Sequence, residues 1–162
     1  MNPQHSLVFP ARDLLGRPLG RVLAGLLLLA AVLPLSGAAW AQAAPRQPAP
    51  KGALVYFHYP LDGLRVPERF TVRIGLKEMG VAPAGRQWSN TGHHHLLIDT
   101  DPGPPDQPIP ADYNNVHLGN GQTEVVVTLP KGQHTLQLLL GDHNHVPHDP
   151  PVMSRKITVY VR

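Results

Sequence analysis

Proline and glycine interrupt this chain so often that a long helix is not predicted in its main part. They account for 19 and 15 of the 162 residues, and the runs between them are short and rich in β-branched and aromatic side chains. The run from 70 to 76 shows the pattern most clearly, because Phe70, Val72, Ile74 and Leu76 alternate with other residues, as in a strand with one buried face. The sequence therefore predicts an all-β domain.

Six such runs predict the main strands, and these are Leu54–Tyr59, Phe70–Leu76, His93–Asp99, Thr123–Leu129, His134–Leu140 and Lys156–Val161. Their number and the spacing of the turns between them predict an immunoglobulin-like antiparallel β-sandwich of six to seven strands. A short edge strand is expected between the third and fourth runs, near the proline-rich stretch Thr100–Asn115. A small closed barrel is the alternative architecture.

The first 41 residues have the features of a secretory signal peptide. Three arginines precede an apolar run over residues 22–35, and Ala39 and Ala41 are the small residues that a signal peptidase recognises. The run is shorter than the roughly 20 apolar residues that span a bilayer, and Pro34 interrupts it. We therefore expect a bacterial protein that is periplasmic or secreted, with no membrane span after cleavage.

After the signal region, residues 42–52 are rich in proline and alanine and predict a linker, and residues 53–162 form the predicted sandwich domain. The signal region contains three arginines and one aspartate, so it accounts for two of the three net positive charges and leaves a charge of +1. A charge this small does not neutralise a run of phosphates, and we expect no nucleic-acid partner. The chain has no cysteine, so a bound metal would need histidine, carboxylate, methionine or backbone oxygen.

Histidine is the residue type with the most informative distribution, since nine of the ten histidines follow the signal region. In an immunoglobulin-like order, the loop before the third strand and the loop after the fifth strand lie at the same end of the sandwich. Both loops lead into or contain histidines, and the edge strand would bring one more. The histidines expected at this end are His93, His94, His95, His117, His143, His145 and His148, whereas His58 and His134 are expected at the other end.

The spacing within these clusters suggests metal ligands. Residues two apart in a strand point to the same face, so His93 and His95 converge while His94 points away, and His143 and His145 converge if the strand continues into the loop. Imidazole is a preferred ligand of zinc and copper, a nearby carboxylate can ligate or orient a histidine ring, and a thioether favours copper. The predicted metal ligands are His93, His95, His117, His143, His145, His148, Asp142 and Met153, with copper or zinc as the predicted ion.

Three functional hypotheses follow. The first is an exported protein that binds a transition metal or another small ligand. The second is a structural or recognition domain for a protein partner in the cell envelope, in which the loop Gly141–Pro151 forms a rigid hydrogen-bond network. The third is a metal-dependent enzyme, in which His93, His95 and one loop histidine surround an open metal position. No catalytic residue can be named for the third hypothesis.

Four segments of the chain resemble a known family, and these are NTGHHHLLIDTD (Asn90–Asp101), DQPIPAD (Asp106–Asp112), GNGQTE (Gly119–Glu124) and GQHTLQLLLGDHNHVPHDPPVMS (Gly132–Ser154). The chain resembles the secreted bacterial domains known as domain of unknown function 4399 (DUF4399), over Leu54 to Val161. This resemblance implies a single exported β-rich domain behind a signal peptide. It assigns no activity and no catalytic residue, but the histidines named above lie within its recognisable motif.

Overall fold

The computed structural model describes residues 46–162, so the predicted signal peptide lies outside the described residues. Residues 46–162 contain no helix, and therefore none that is long and apolar enough to cross a membrane. The strands are β1 (Leu54–Tyr59), β2 (Arg65–Val66), β3 (Arg69–Lys77), β4 (Gly80–Val81), β5 (Thr91–Ile98), β6 (Asn115–Leu118), β7 (Glu124–Thr128), β8 (Gly132–Gly141) and β9 (Ile157–Val161). The six predicted runs correspond to β1, β3, β5, β7, β8 and β9, which confirms the all-β prediction.

The strands form two sheets of an immunoglobulin-like sandwich. One sheet has the order β1-β3-β7, and the other has the order β2-β9-β8-β5-β4, with β6 pairing with β5 on the same side as β4. The pairings between the long strands are antiparallel, whereas the two-residue strands β2 and β4 pair in parallel with β9 and β5. The edge strand expected between the third and fourth runs is β6, and the short strands β2 and β4 were not predicted.

The hydrophobic core lies between the sheets and follows the two-residue alternation of the strands. Apolar side chains of β3 meet those of β5 and β8 there, and burying each one contributes roughly 1.5–3 kcal/mol. The core residues of these three strands are Phe70, Val72, Ile74, Leu96, Ile98, Leu136, Leu138 and Leu140.

The outer face of the larger sheet is covered as well. Leu97 of β5 and Leu139 of β8 pack with Ile109, which belongs to the proline-rich segment between β5 and β6. That segment therefore folds back across the sheet, and the N–H of Ile109 donates to the carbonyl of His145 at 2.9 Å. Because His93 and Leu97 lie an even number of residues apart on β5, His93 also faces this covered side.

The first described residues lie within the predicted linker and contact the loop after β8. Arg46 donates to the carbonyl oxygens of Pro147 and His148. Its guanidinium lies 3.5 Å from the carboxylate of Asp149, and the N–H of Ala49 donates to the Asp149 carbonyl at 2.8 Å. These contacts fix the C-terminal part of the loop that carries the second group of histidines.

Candidate metal centre

Three histidines are positioned by the pairing of β5 with β6. His95 lies directly opposite His117 in the antiparallel ladder, and His93 is two residues before His95, so all three side chains leave the same face of the sheet. Side chains that are directly opposite in such a ladder are within contact distance. The ladder alone therefore brings three imidazoles together on the outer face of the larger sheet.

The fourth histidine, His145, comes from a tight turn after β8. The Asp142 carboxylate accepts hydrogen bonds from the backbone N–H groups of Asn144 at 2.8 Å and Val146 at 2.9 Å. The N–H of His145 donates to the Asp142 carbonyl at 2.9 Å, and His145 has a φ of 66°, in the left-handed region. This turn, stabilised by the aspartate, brings His145 back over the sheet.

The four imidazole rings form a compact, nearly tetrahedral group. The six distances between the ring centroids of His93, His95, His117 and His145 range from 4.8 to 6.0 Å. One ring nitrogen from each residue lies within 4.8 Å of the other three. His93 Nε2 is 3.0 Å from His95 Nε2 and 3.1 Å from His145 Nδ1.

These distances match the size of a tetrahedral metal site. Zinc binds imidazole nitrogen at about 2.0–2.1 Å, so two nitrogens on a tetrahedral ion lie about 3.4 Å apart and their ring centroids about 5 Å apart. The four histidines could therefore hold a metal ion with small movements of their rings.

Hydrogen bonding between the rings does not satisfy this cluster by itself. A ring nitrogen of a neutral imidazole has either one proton or one lone pair, so His93 Nε2 cannot form full hydrogen bonds with both of its neighbours. In addition, His117 Nε2 is buried without a hydrogen-bond partner. A metal ion would instead accept one lone pair from each ring.

The three strand histidines of the cluster are in the protonation state that a metal requires. Burial, together with the neighbouring His145 and His117, lowers the pKa of His93 to about 4. Burial and the neighbouring histidines lower the pKa of His95 to about 3, and burial followed by His145 lowers the pKa of His117. These three imidazoles are therefore neutral at pH 7, with lone pairs available for coordination.

Two glycines make room for the rings. A Cβ atom on Gly141, which lies opposite His93 in the ladder, would be 3.1 Å from His95 Nε2 and 3.3 Å from the backbone of His145. A Cβ atom on Gly119, two residues after His117, would be 2.2 Å from the ring of His117. Sequence reasoning missed both glycines, although a His-x-Gly spacing at the end of a strand is a signal that could have identified Gly119.

The loop residues His143 and Asp142 do not contribute to the group of four rings. The turn at Asp142 ends the alternation of β8, so the ring of His143 points elsewhere and contacts Asn144, whose Nδ2 lies 3.0 Å from His143 Nε2. The Asp142 carboxylate is directed at backbone N–H groups of the loop. The convergence of His143 with His145 was expected only if the strand continued into the loop, and this condition is not met, because β8 ends at Gly141.

The other two predicted ligands also lie apart from the group. His148 is buried beside β5, with Nε2 3.2 Å from the carbonyl oxygen of Thr91. Met153 pairs with Leu139 on the far side of β8, so it lies two strands away from His95, or about 10 Å. The structure thus brings together four of the eight residues that the sequence indicated.

His94 points away from His93, His95 and the rest of the cluster, as its position between His93 and His95 predicts. It is fully buried, and because Leu96 lies two residues further along β5, it faces the same interior side. Neither of its ring nitrogens has a hydrogen-bond partner, and burial lowers its pKa to about 4. His94 is a neutral imidazole inside the sandwich and is not part of the cluster.

Fold and site together define an immunoglobulin-like β-sandwich domain with a partly buried cluster of four histidines. The chain belongs to the family described as Domain of unknown function (DUF4399), whose family model matches residues 72–162. This match confirms the resemblance noted in the sequence, and the matched range contains all four histidines of the cluster.

Comparison with characterised proteins adds little. No curated protein shows a significant sequence match. One solved structure with similarity to part of the chain is an endo-beta-1,4-mannanase from Thermotoga petrophila, at 18% identity and a TM-score of 0.41. The similar region covers 68% of this chain and 20% of the mannanase, so this chain spans only about a fifth of that enzyme.

Proposed function

We propose that this protein is an exported binding protein that holds one transition-metal ion through four histidine rings. The ligands are His93, His95, His117 and His145. The observation that supports this proposal most strongly is that five of the six distances between ring centroids lie between 4.8 and 5.0 Å, and the sixth is 6.0 Å. In addition, one ring nitrogen of each residue lies within 4.8 Å of the other three, which simple packing of four rings does not require.

The donor atoms favour zinc or copper. All four donors are imidazole nitrogens, which suit zinc, copper and nickel, whereas calcium and magnesium prefer oxygen. A square-planar site has two distinctly long diagonals, but here only the distance between His95 and His145 is longer, at 6.0 Å. The arrangement is closer to a tetrahedron, which zinc and reduced copper accept readily.

A closed set of four protein ligands is typical of sites that store or carry a metal, or that use it structurally. An enzyme of the third hypothesis needs an open position on the ion, and we do not propose a reaction. Export rests on the arginines, the apolar run and the alanines of residues 1–41. The mass of the protein recovered from the culture or the periplasm tests it, with cleavage expected after Ala41.

A second candidate function is recognition of a protein partner by the loop after β8. The observation that favours it is the dense hydrogen bonding of this loop, in which Asp142 holds Asn144 and Val146 and Arg46 holds Pro147 and His148. Such bonding gives a rigid surface. This candidate predicts that removing metal leaves the melting temperature unchanged.

Elemental analysis of the protein purified without a histidine tag tests the metal proposal. We expect one zinc or copper ion per chain, and calorimetry of the metal-free protein should give a single site. His95→Ala should abolish this site, whereas the matched control His143→Ala should retain it, because His143 lies in the same loop as His145 but outside the cluster. Equal binding by the wild type and His95→Ala would contradict the proposal.

A further inference from the structure

The four histidines are not held equally firmly. His93, His95 and His117 lie in strands whose backbone groups pair with neighbouring strands. His145 lies in a turn, and its backbone has a φ of 66°, a conformation that residues other than glycine adopt infrequently. Three rings are therefore fixed by strand pairing. The fourth ring is carried by a turn, whose backbone is held by the hydrogen bonds from Asn144 and Val146 to the Asp142 carboxylate.

The four rings also differ in their access to solvent. His93 and His95 are fully buried, with no exposed surface, whereas His117 and His145 are only partly buried. The backbone of His145 is held to the proline-rich segment by the Ile109 N–H and to its own turn by the Asp142 carbonyl. If the side chain of His145 rotates, its ring can leave the cluster while the backbone keeps these hydrogen bonds, and the position that the ring occupied then faces solvent.

We infer that His145 is an exchangeable fourth ligand, and that an incoming imidazole replaces it when the ion enters or leaves the site. This inference rests on the proposed function. In the exchange, the bond between the metal and His145 breaks and a bond between the metal and the incoming neutral imidazole forms. No electron or proton is transferred, and the three strand histidines keep the ion bound during the step.

A pair of glycine substitutions tests the inference, with free imidazole as the probe. His145→Gly removes the ring and suits the turn, because glycine adopts a φ of 66° without strain. We expect its zinc affinity to fall at least tenfold and to return to near the wild-type value when imidazole is added. His95→Gly, the matched variant in a strand, should not recover, because the position of His95 is enclosed by the sheet and by Gly141.

Recovery in both variants, or in neither, would overturn the inference. It would leave the proposed function standing as long as the wild type binds zinc in a single site. Failure of the wild type to bind any metal would instead overturn the proposed function itself.

The kinetics of the zinc-loaded wild type provide a test that needs no variant. We expect the rate of zinc transfer to a coloured chelator to rise in proportion to the imidazole concentration, because imidazole takes the place of His145 before the ion leaves. The same measurement with His143→Ala should give the wild-type dependence. A transfer rate that is independent of imidazole would contradict an exchangeable ligand.

Discussion

At the scale of single residues, the shape of the candidate site depends on two glycines as well as on four histidines. Gly119 lies under the ring of His117, and Gly141 lies between His95 and the backbone of His145. Neither glycine has a positive φ, so the reason for glycine at both positions is the space that the rings occupy and not the backbone conformation.

We predict that Gly119→Ala and Gly141→Ala each weaken zinc binding by tenfold or more, because the added methyl group displaces a ligand ring. The effect should be larger for Gly119, where the added Cβ would be 2.2 Å from the ring of His117, compared with 3.1 Å from His95 at Gly141. Calorimetric titration with zinc measures the affinity of each variant. Gly103→Ala is the control, since a Cβ there meets nothing within 4 Å, and a loss of affinity in this control as large as in the two variants would contradict the explanation.

His94 provides a second prediction at this scale. Its two unpaired ring nitrogens lie in an apolar interior, and burying a polar group without a hydrogen bond costs about 1–3 kcal/mol. We therefore expect His94→Leu to raise the free energy of unfolding of the metal-free protein by about 1 kcal/mol or more, measured by urea denaturation. Zinc affinity should not change, and a loss of zinc binding in this variant would show that His94 takes part in the site.

The sequence predicted some residues of the site and not others, for a physical reason. The two-residue period of a strand is enough to place His93 and His95 together and to direct His94 away. It fails at Asp142, because a short aspartate side chain that accepts backbone N–H groups ends the strand and changes the direction of every following residue. His145 and His143 therefore have different surroundings although their spacing is the same as that of His93 and His95.

At the scale of strands and loops, the site depends on the short strand β6. The six long strands were predictable because each is a short run rich in β-branched, aromatic or other apolar residues and is bounded by turn residues. The bounds of the expected edge strand β6 were not predicted, because its four residues, NVHL, are too few to show a period. Its register places His117 opposite His95. The return of the proline-rich segment to the sheet was also not predictable, since it depends on the contact of Ile109 with Leu97 and Leu139.

A different histidine, His134, connects two strands at the other end of the domain. Its Nδ1 lies 2.6 Å from the Asp99 carboxylate at the end of β5, and its Nε2 lies 2.9 Å from the carbonyl oxygen of Pro130. Burial opposes the charged form of His134, but the hydrogen bonds to Asp99 and Pro130 outweigh it and raise the pKa of this histidine. The protonated ring can donate from both nitrogens.

This raised pKa predicts a pH-dependent contribution to stability. Since the pKa is higher in the folded state, the contribution is complete below the unfolded value of about 6.5 and is lost as the pH rises through the folded value. His134→Ala should therefore reduce the free energy of unfolding more at pH 5.5 than at pH 9. Urea denaturation at the two pH values measures the difference, with His58→Ala as the control, and an equal effect of His134→Ala at both would contradict the assignment.

At the scale of the whole molecule, the buried histidines should make the metal-free fold sensitive to acid. Burial lowers the pKa of His93 and His94 to about 4 and that of His95 to about 3. As the pH falls below about 6.5, the unfolded chain takes up protons that the folded chain does not, so stability is retained above this value and lost on acidification toward pH 4 and below.

We predict that the melting temperature of the metal-free protein falls steadily from pH 6.5 to pH 4. Bound zinc stabilises only the folded state, so the zinc-loaded protein should retain its melting temperature to a lower pH before protons displace the ion. Circular dichroism measures the melting temperature at each pH for the protein with and without zinc, and this checks both expectations. If the two forms lose stability at the same pH, the ion is not bound by the buried histidines.

The central claim is that four imidazoles from strands and loops far apart in the sequence bind one metal ion. X-ray absorption spectroscopy of the zinc-loaded protein, purified without a histidine tag, measures this most directly. We expect a first shell of four nitrogens at about 2.0–2.1 Å, with the outer-shell scattering of four imidazole rings, and three rings in the His117→Ala variant. A first shell dominated by oxygen, or a spectrum that His117→Ala leaves unchanged, would contradict the claim.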